Sequence, residues 1–102
     1  IFNISLYIDE PKKAEEFIIK SVYPNPFNPI LNIEYGLLKN SFINLAIYDI
    51  NGRIIENIIK SDHLAGYYEI KWDATDQASG IYFIKLISED GYSQVQKLIL
   101  IK

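Results

Sequence analysis

The sequence predicts an all-β fold, an immunoglobulin-like antiparallel β-sandwich of about seven strands. Apolar and polar residues alternate with a period of two through most of the chain, which is typical of half-buried strands. Glycine, asparagine, aspartate and proline interrupt these runs at intervals of about 8 to 12 residues, the spacing of short strands in a sandwich. A chain of 102 residues is long enough to bury one core, so we expect one cooperative domain.

The first predicted strand, with alternating apolar residues across 2–8, stands apart from the others. A polar stretch from Asp9 to Glu16 follows it and contains Pro11, a pattern that indicates a linker with one helical turn. Residues 1–16 are therefore expected to lie outside the domain and to end in a linker. Residues 17–102 are expected to form the domain.

Seven apolar runs predict the strands of that domain. The dipeptide Asn51-Gly52 supplies the positive φ angles of a tight hairpin turn, so it joins 43–49 to 53–60. Asp90-Gly91 marks another turn, and a loop is expected from Ser61 to Gly66. The runs, in order, are Phe17 to Tyr23; Leu31, Ile33 and Tyr35; Ile43, Leu45 and Ile47; Arg53 to Lys60; Tyr68, Ile70 and Trp72; Ile81 to Ile87; and Val95 to Ile101.

Trp72, the single tryptophan, is the best candidate for the centre of the core. It alternates with polar neighbours and therefore faces inward, where its large ring area is best used. The predicted neighbours are Leu45, Ile47 and Phe83.

Charge and composition exclude several classes of function. The 10 basic and 13 acidic residues leave a net charge of -3 and no cationic footprint, so nucleic acid is not expected as a partner. No apolar run approaches the roughly 20 residues of a membrane-spanning helix, so no membrane insertion is expected. The absence of cysteine removes disulfides and thiolate sites. The absence of methionine suggests a piece of a longer precursor, in which a signal peptide would lie upstream.

His63, the only histidine, lies beside Ser61 and Asp62 and so brings together the residue types of a nucleophilic triad. Triad side chains converge from separate parts of a fold, whereas three neighbours in a loop point in different directions. We expect a solvated loop here, no catalytic residue and no enzyme.

No metal or other cofactor is expected either. Asp49, Asp73, Asp76 and Asp90 carry the hard oxygen ligands that calcium prefers, but the spacing of a calcium loop is missing. Aspartate is favoured in turns because its side chain caps nearby amides, and this is the preferred interpretation.

Three tyrosines, Tyr67, Tyr82 and Tyr92, are predicted on outward faces. An outward set of tyrosines could stack on sugars, although strands are enriched in aromatic residues in any case.

The least ordinary segment runs from Tyr23 to Pro29. Its prolines exclude both a helix and a central strand, so it must be a rigid, extended crossing. Phe27 is predicted to plug one end of the sandwich, and the alternative is a direct docking role for the proline-aromatic surface. The residues of the segment are Tyr23, Pro24, Asn25, Pro26, Phe27, Asn28 and Pro29.

Four motifs, in order and with compatible gaps, resemble type A C-terminal sorting domains of the bacterial type IX (Por) secretion system. The resemblance covers about residues 17 to 102. The motifs are the segment Tyr23–Pro29 followed by Ile33, Tyr35 and Leu37; residues 47–55 around Asn51 and Gly52; residues 65–67 leading to Trp72 and Asp73, then 78–83 around Gly80; and Lys97 to Ile101.

The resemblance implies a non-catalytic sorting signal at the end of a larger secreted passenger, with residues 1–16 as the end of that passenger or its linker. Such a precursor crosses the periplasm and is directed by this domain through the outer-membrane translocon. A sortase-like peptidase then usually removes the domain and releases the passenger or attaches it to the cell surface. The expected partners are the translocon and the peptidase, and the expected location is the cell surface or the medium.

Recognition is expected at the last strand, at Lys97, Leu98, Ile99, Leu100, Ile101 and Lys102. A receptor could pair with its unpaired edge or hold a terminal carboxylate. The strand could equally just complete the sheet, with its lysines protecting an edge. The alternative function is an immunoglobulin-like accessory, adhesive or carbohydrate-binding module of a secreted protein.

Overall fold

The computed structural model describes residues 18–102, which form seven strands. The predicted strand at 2–8 and the linker to Glu16 lie outside the described residues. Across residues 18–102, no helix is long and apolar enough to span a membrane. The strands are β1 (Ile18–Tyr23), β2 (Ile30–Leu37), β3 (Ser41–Tyr48), β4 (Ile54–His63), β5 (Gly66–Asp73), β6 (Gly80–Ser88) and β7 (Ser93–Leu100).

The strands pair into two antiparallel sheets, which confirms the predicted immunoglobulin-like sandwich. One sheet has three strands in the order β1-β2-β5, and the other has four in the order β4-β3-β6-β7. Strand β4 stays with its hairpin partner β3 in the larger sheet. Consequently β1 and β7 lie along one lateral side of the sandwich, and β4 and β5 lie along the other.

The core lies between the sheets and forms a single cluster. Alternate residues of a strand point to opposite faces, so the predicted inward residues of the second and third runs are buried: Leu31, Ile33 and Tyr35, and Ile43, Leu45 and Ile47. Each fully buried side chain of this size stabilises the fold by about 1.5–3 kcal/mol. The largest fully buried side chains are Tyr35, Phe27, Leu31, Ile33, Leu37, Ile43, Leu45, Ile47, Ile84, Leu86, Leu98 and Leu100.

Bulges shift the alternation in two strands. Ile19 and Val22 are both buried although they are three positions apart, because the register slips at Lys20. Strand β4 slips twice along β3, so Ile55 and Ile58 have no direct partner there. Bulged edge strands are poor templates for pairing with another chain.

The predicted hairpin at Asn51-Gly52 is confirmed. The amide of Gly52 donates to the carbonyl of Asp49 (3.0 Å), and the amide of Asp49 donates to the carbonyl of Arg53 (2.9 Å). Gly52 has a φ of 82°, which side chains other than hydrogen rarely tolerate. Gly80, which begins β6, also has a positive φ of 157° with open space where a Cβ would lie.

The predicted loop from Ser61 to Gly66 is wrong. Strand β4 continues to His63, which pairs with Ser41, and only Leu64 and Ala65 connect it to β5. Polar residues are tolerated here because β4 is an edge strand with a solvent-facing side.

Candidate functional site

The segment from Tyr23 to Pro29 lies against the last strand. The amide of Phe27 donates to the carbonyl of Ile99 (2.9 Å), and the amide of Ile101 donates to the carbonyl of Phe27 (3.0 Å). Phe27 and Leu100 thus form a parallel bridge at the outer edge of β7. The peptide bonds before Pro24, Pro26 and Pro29 are cis.

Asn25 extends this pairing with its side chain. Its Nδ2 donates to the carbonyl of Lys97 (3.1 Å), and its Oδ1 accepts from the amide of Ile99 (2.9 Å). Proline has no amide hydrogen, so Pro24 and Pro26 cannot donate to β7. The carboxamide of Asn25, with one donor and one acceptor in use, takes the place of a strand peptide.

Phe27 plugs the sandwich, as predicted. Its side chain is only 1% exposed. Its ring centroid lies 5.7 Å from that of Trp72, and Trp72 lies 6.0 Å from Tyr82. A chain of three aromatic rings therefore connects the proline-rich segment to both sheets.

Lys102 is held at the same end of the molecule. Its amide donates to Oγ of Ser79 (2.9 Å), and its Nζ donates to the carbonyls of Thr75 and Gln77. The amide of Ala74 donates in turn to the carbonyl of Pro29 (2.9 Å). The Tyr23–Pro29 segment, the turn at residues 74–79 and the C-terminal residues therefore lie together.

The premise that β7 presents an unpaired edge is wrong. Asn25 and Phe27 occupy that edge from Lys97 to Ile101, and Oε1 of Gln94 accepts from the amide of Ile19 nearer the start of the strand. A receptor cannot add a strand here without displacing this segment. Leu98 and Leu100 are buried, whereas the side chains of Lys97, Ile99 and Ile101 reach the surface to differing extents.

Trp72 is buried in the core, as predicted, with 2% of its surface exposed. Its Nε1 donates to Oε1 of Glu56 at the edge of β4 (3.1 Å). The expectation that Phe83 is a neighbour is wrong, and so is the outward placement of Tyr82. Strand β6 has the opposite register: Tyr82 is buried and Phe83 faces outward. Tyr67 and Tyr92 are exposed, as predicted.

His63 does not lie in a solvated loop. Its Nε2 is 3.1 Å from the hydroxyl of Tyr35, and its ring lies 4.9 Å from that of Tyr68 in an edge-on arrangement. Burial raises the pKa of Tyr35 to about 12, and the nearby Tyr68 adds to this. Ser61 Oγ is 3.4 Å from Nδ1 of His63, but Asp62 points to the other face of the strand. The three groups of a triad are therefore not assembled.

Two of the aspartates discussed as ligands cap turns. Oδ1 of Asp49 accepts from the amides of Asn51 (2.8 Å) and Arg53 (3.0 Å), and these bonds, the one from Arg53 first, lower the pKa of Asp49. Asp73 accepts from the hydroxyl and the amide of Thr75, and both bonds lower the pKa of Asp73. Within residues 18–102, no three acidic, histidine or cysteine side chains are grouped to hold a metal ion.

Sequence reasoning missed the roles of Asn25, Gln94 and Glu56. Each makes a hydrogen bond to a residue distant in the chain, and no local pattern encodes the partner. The only available signal was the position of Asn25 between two prolines, where a side chain must do what the backbone cannot.

Fold and site together define a small sandwich domain whose last strand is locked in place by an upstream proline-rich segment. The model of one family, described as the secretion system C-terminal sorting domain, matches residues 21–102. The chain belongs to that family, and its function is that of a C-terminal sorting signal for type IX secretion. Membership implies a larger passenger, the secretion machinery, and export to the cell surface or beyond.

Among solved structures, the chain is similar to PorZ of Porphyromonas gingivalis, described as an essential bacterial surface component of the type-IX secretion system. The identity is 24% and the TM-score 0.56, over 80% of this chain and 11% of PorZ. The chain therefore spans a small part of that protein, and the likeness concerns the fold. No curated protein sequence matches the chain.

Proposed function

We propose that residues 17–102 are a non-catalytic sorting domain that carries a passenger from the periplasm through the outer-membrane translocon. Residues 1–16 are the end of that passenger or its linker. A sortase-like peptidase removes the domain after passage. The observation that carries this proposal is the family match over residues 21–102.

The locked C-terminal strand supports the proposal physically. A sorting signal must present the same surface on every cargo molecule, and rigid presentation lowers the entropy lost when a receptor binds. Asn25, Phe27 and Ser79 hold residues 97–102 by five hydrogen bonds that the chain makes to itself. We therefore assign recognition to the surface side chains of this strand rather than to pairing with its edge.

The test is a reporter that carries a signal peptide and is fused upstream of residues 1–102, expressed in a host with an active type IX system. The intact fusion is expected in the medium or on the cell surface. Deleting Lys97 to Lys102 is expected to leave the reporter in the periplasm.

That deletion also removes two buried leucines, each worth roughly 1.5–3 kcal/mol, so a folding control is needed. Lys97→Ala removes an exposed charge, which contributes little to stability, so any export lost in this variant reports lost recognition and not unfolding. It is a cleaner variant than Lys102→Ala, because Lys102 bonds to the 74–79 turn. If the folded, intact fusion stays in the periplasm while the host exports its own cargo, the proposal fails and an accessory-module role replaces it.

A further inference from the structure

The outward face of the four-stranded sheet is apolar in its half nearest the β3–β4 turn. Ile50, Ile54 and Val95 are 67%, 53% and 53% exposed, values far above those of the core. We call this surface the β3/β6/β7 face. Its strand members are Tyr48, Ile54, Ile81, Phe83, Lys85, Val95, Lys97 and Ile99, and Ile50 of the turn joins them at the concavity described below.

Strand register makes this face continuous. Tyr48 lies opposite Ile54 on one side and Phe83 on the other, and Phe83 lies opposite Lys97. Directly opposed side chains in a sheet are in contact distance, so the row crosses all four strands. Beside it, Tyr48, Phe83 and Val95 line a concavity of about 300 Å³. Contiguous exposed apolar surface of this kind marks interaction sites.

The charges on the face are of one sign. Lys85 lies opposite Val95, and Lys97 lies opposite Phe83. Neither lysine has an ion-pair partner within residues 18–102. The nearest carboxylate lining the concavity, that of Asp49, is occupied by Arg53 and by turn amides. The face thus presents an apolar centre and two uncompensated cations.

This chemistry favours one occupant over the others. A second copy of the face would bring only further lysines and no free carboxylate. An anionic membrane is bound by clusters of about 4–8 cations, whereas this face has two and the chain has a net charge of -3. A protein surface with an apolar centre and an acidic rim complements both the apolar centre and the two lysines of this face, since opposite potentials across an interface favour association.

We propose that the β3/β6/β7 face is where the domain docks on an acidic-rimmed apolar protein surface of the export apparatus. This inference rests on the proposed sorting function and adds the site and the chemistry of its partner. Val95, Lys97 and Ile99 lie on β7, so the last strand is recognised from its outer face while its edge remains covered.

The experiment compares two double variants of the reporter fusion. Val95→Glu with Lys97→Gln alters the β3/β6/β7 face. Tyr67→Glu with Lys71→Gln makes the same charge change on the outward face of the three-stranded sheet, where Lys20 lies 5.1 Å from the Tyr67 ring. Export of the first variant is expected to fall about tenfold or more, as for loss of an interface hot spot. The second variant is expected to be exported like the intact fusion, and Lys97→Arg should retain export.

Both purified domains must melt like the parent, so that lost export reports lost docking. If the face variant is exported normally, or both variants fail alike, the docking site is wrong. If the intact fusion is not exported, both the sorting function and this inference are wrong. If the intact fusion is exported and the face variant is exported equally well, only this inference is wrong.

Other occupants are tested on the purified chain, which has no cysteine of its own. Val95→Cys and Tyr67→Cys should react with a maleimide at similar rates. Strong protection of Val95→Cys at every concentration means that residues 1–17 cover the face, and protection only at high concentration means a second copy. Sedimentation with phosphatidylglycerol vesicles that Val95→Glu abolishes means a membrane. Each of these results overturns the proposal.

Discussion

The two lateral sides of the sandwich are closed in different ways. On the β1/β7 side, a segment between the strands supplies backbone and carboxamide hydrogen bonds, with Asn25 and Phe27 along β7. On the β4/β5 side, side chains span the gap: Glu56 accepts from Trp72, and His63 lies against Tyr68. Strand β4 itself is bulged.

The two kinds of closure suit two different roles: recognition of the C-terminal strand on the β1/β7 side, and protection from pairing with another chain on the β4/β5 side. Hydrogen bonds along β7 hold the C-terminal strand in one position, which suits a strand that a receptor recognises. Bulges and a ring contact along β4 exclude another strand without fixing any one residue as tightly. Stability and exchange measurements can therefore test whether the β1/β7 side is the more firmly closed.

The largest effect is expected from Phe27→Ala, which removes the plug of the β1/β7 side. Truncating a buried phenylalanine costs about 3–5 kcal/mol of the free energy of unfolding, from lost burial and the cavity left behind. Phe42→Ala is the control, since Phe42 is 36% exposed. Urea denaturation followed by Trp72 fluorescence measures both. Equal losses in the two variants would mean that Phe27 does not close the core.

A smaller loss is expected from Asn25→Ala, which leaves the carbonyl of Lys97 and the amide of Ile99 without their partner. Two hydrogen bonds with net values of about 0.5–1.5 kcal/mol each set the scale. The amide of Ile99 should exchange with solvent faster than in the parent. Asn57→Ala, an exposed asparagine on β4, should leave the exchange of Ile99 unchanged. Unchanged exchange in Asn25→Ala would remove the carboxamide from the closure.

Sequence reasoning predicted the features that follow from local patterns in the chain better than the features that depend on irregular long-range contacts. The alternation of Leu45 and Ile47 fixes a buried face, and the isolation of Phe27 among prolines indicates a plug. Tyr82 and Phe83 are adjacent and both aromatic, so a shift of one residue exchanges them between faces. Only the pairing of β6 with its neighbours decides between them.

Irregular contacts had no such signal. A bulge at Lys20 changes which residues of β1 face inward, and composition does not reveal it. The polar run ending at His63 resembles a loop because edge strands tolerate polar residues. Asn25 and Lys97 are 72 positions apart, and a single sequence does not link them.

On the β4/β5 side, Glu56→Ala is expected to lower stability by about 1 kcal/mol, the net value of one hydrogen bond. The indole Nε1 of Trp72 loses its acceptor, so the emission of Trp72 should shift. Glu56→Gln keeps a carbonyl oxygen in place and should behave more like the parent. If the alanine and glutamine variants have the same emission and stability, Glu56 does not hold the indole.

The smallest effect is a pH effect that distinguishes an exposed tyrosine from a buried one by the cause of its pKa shift. The pKa of Tyr23 is raised to about 12, first by its hydrogen bond to Glu69 and then by burial and the charge of Glu34. The pKa of Tyr35, at the β4/β5 side, is raised to about 12 by burial. Both folded-state pKa values lie above the ordinary tyrosine value of 10.0, so each hydroxyl contributes stability that is present below pH 10 and is lost as the pH rises towards 12.

Ultraviolet titration of tyrosinate, with Tyr23→Phe and Tyr35→Phe to assign the steps, follows both groups. Glu69→Gln removes a charge and weakens the acceptor of Tyr23, so the pKa of Tyr23 should fall towards its ordinary value. The pKa of Tyr35 should not move, because burial between the sheets does not depend on Glu69. A fall of both pKa values by the same amount would mean that Glu69 acts on the whole fold, and the two tyrosines would then report one cause instead of two.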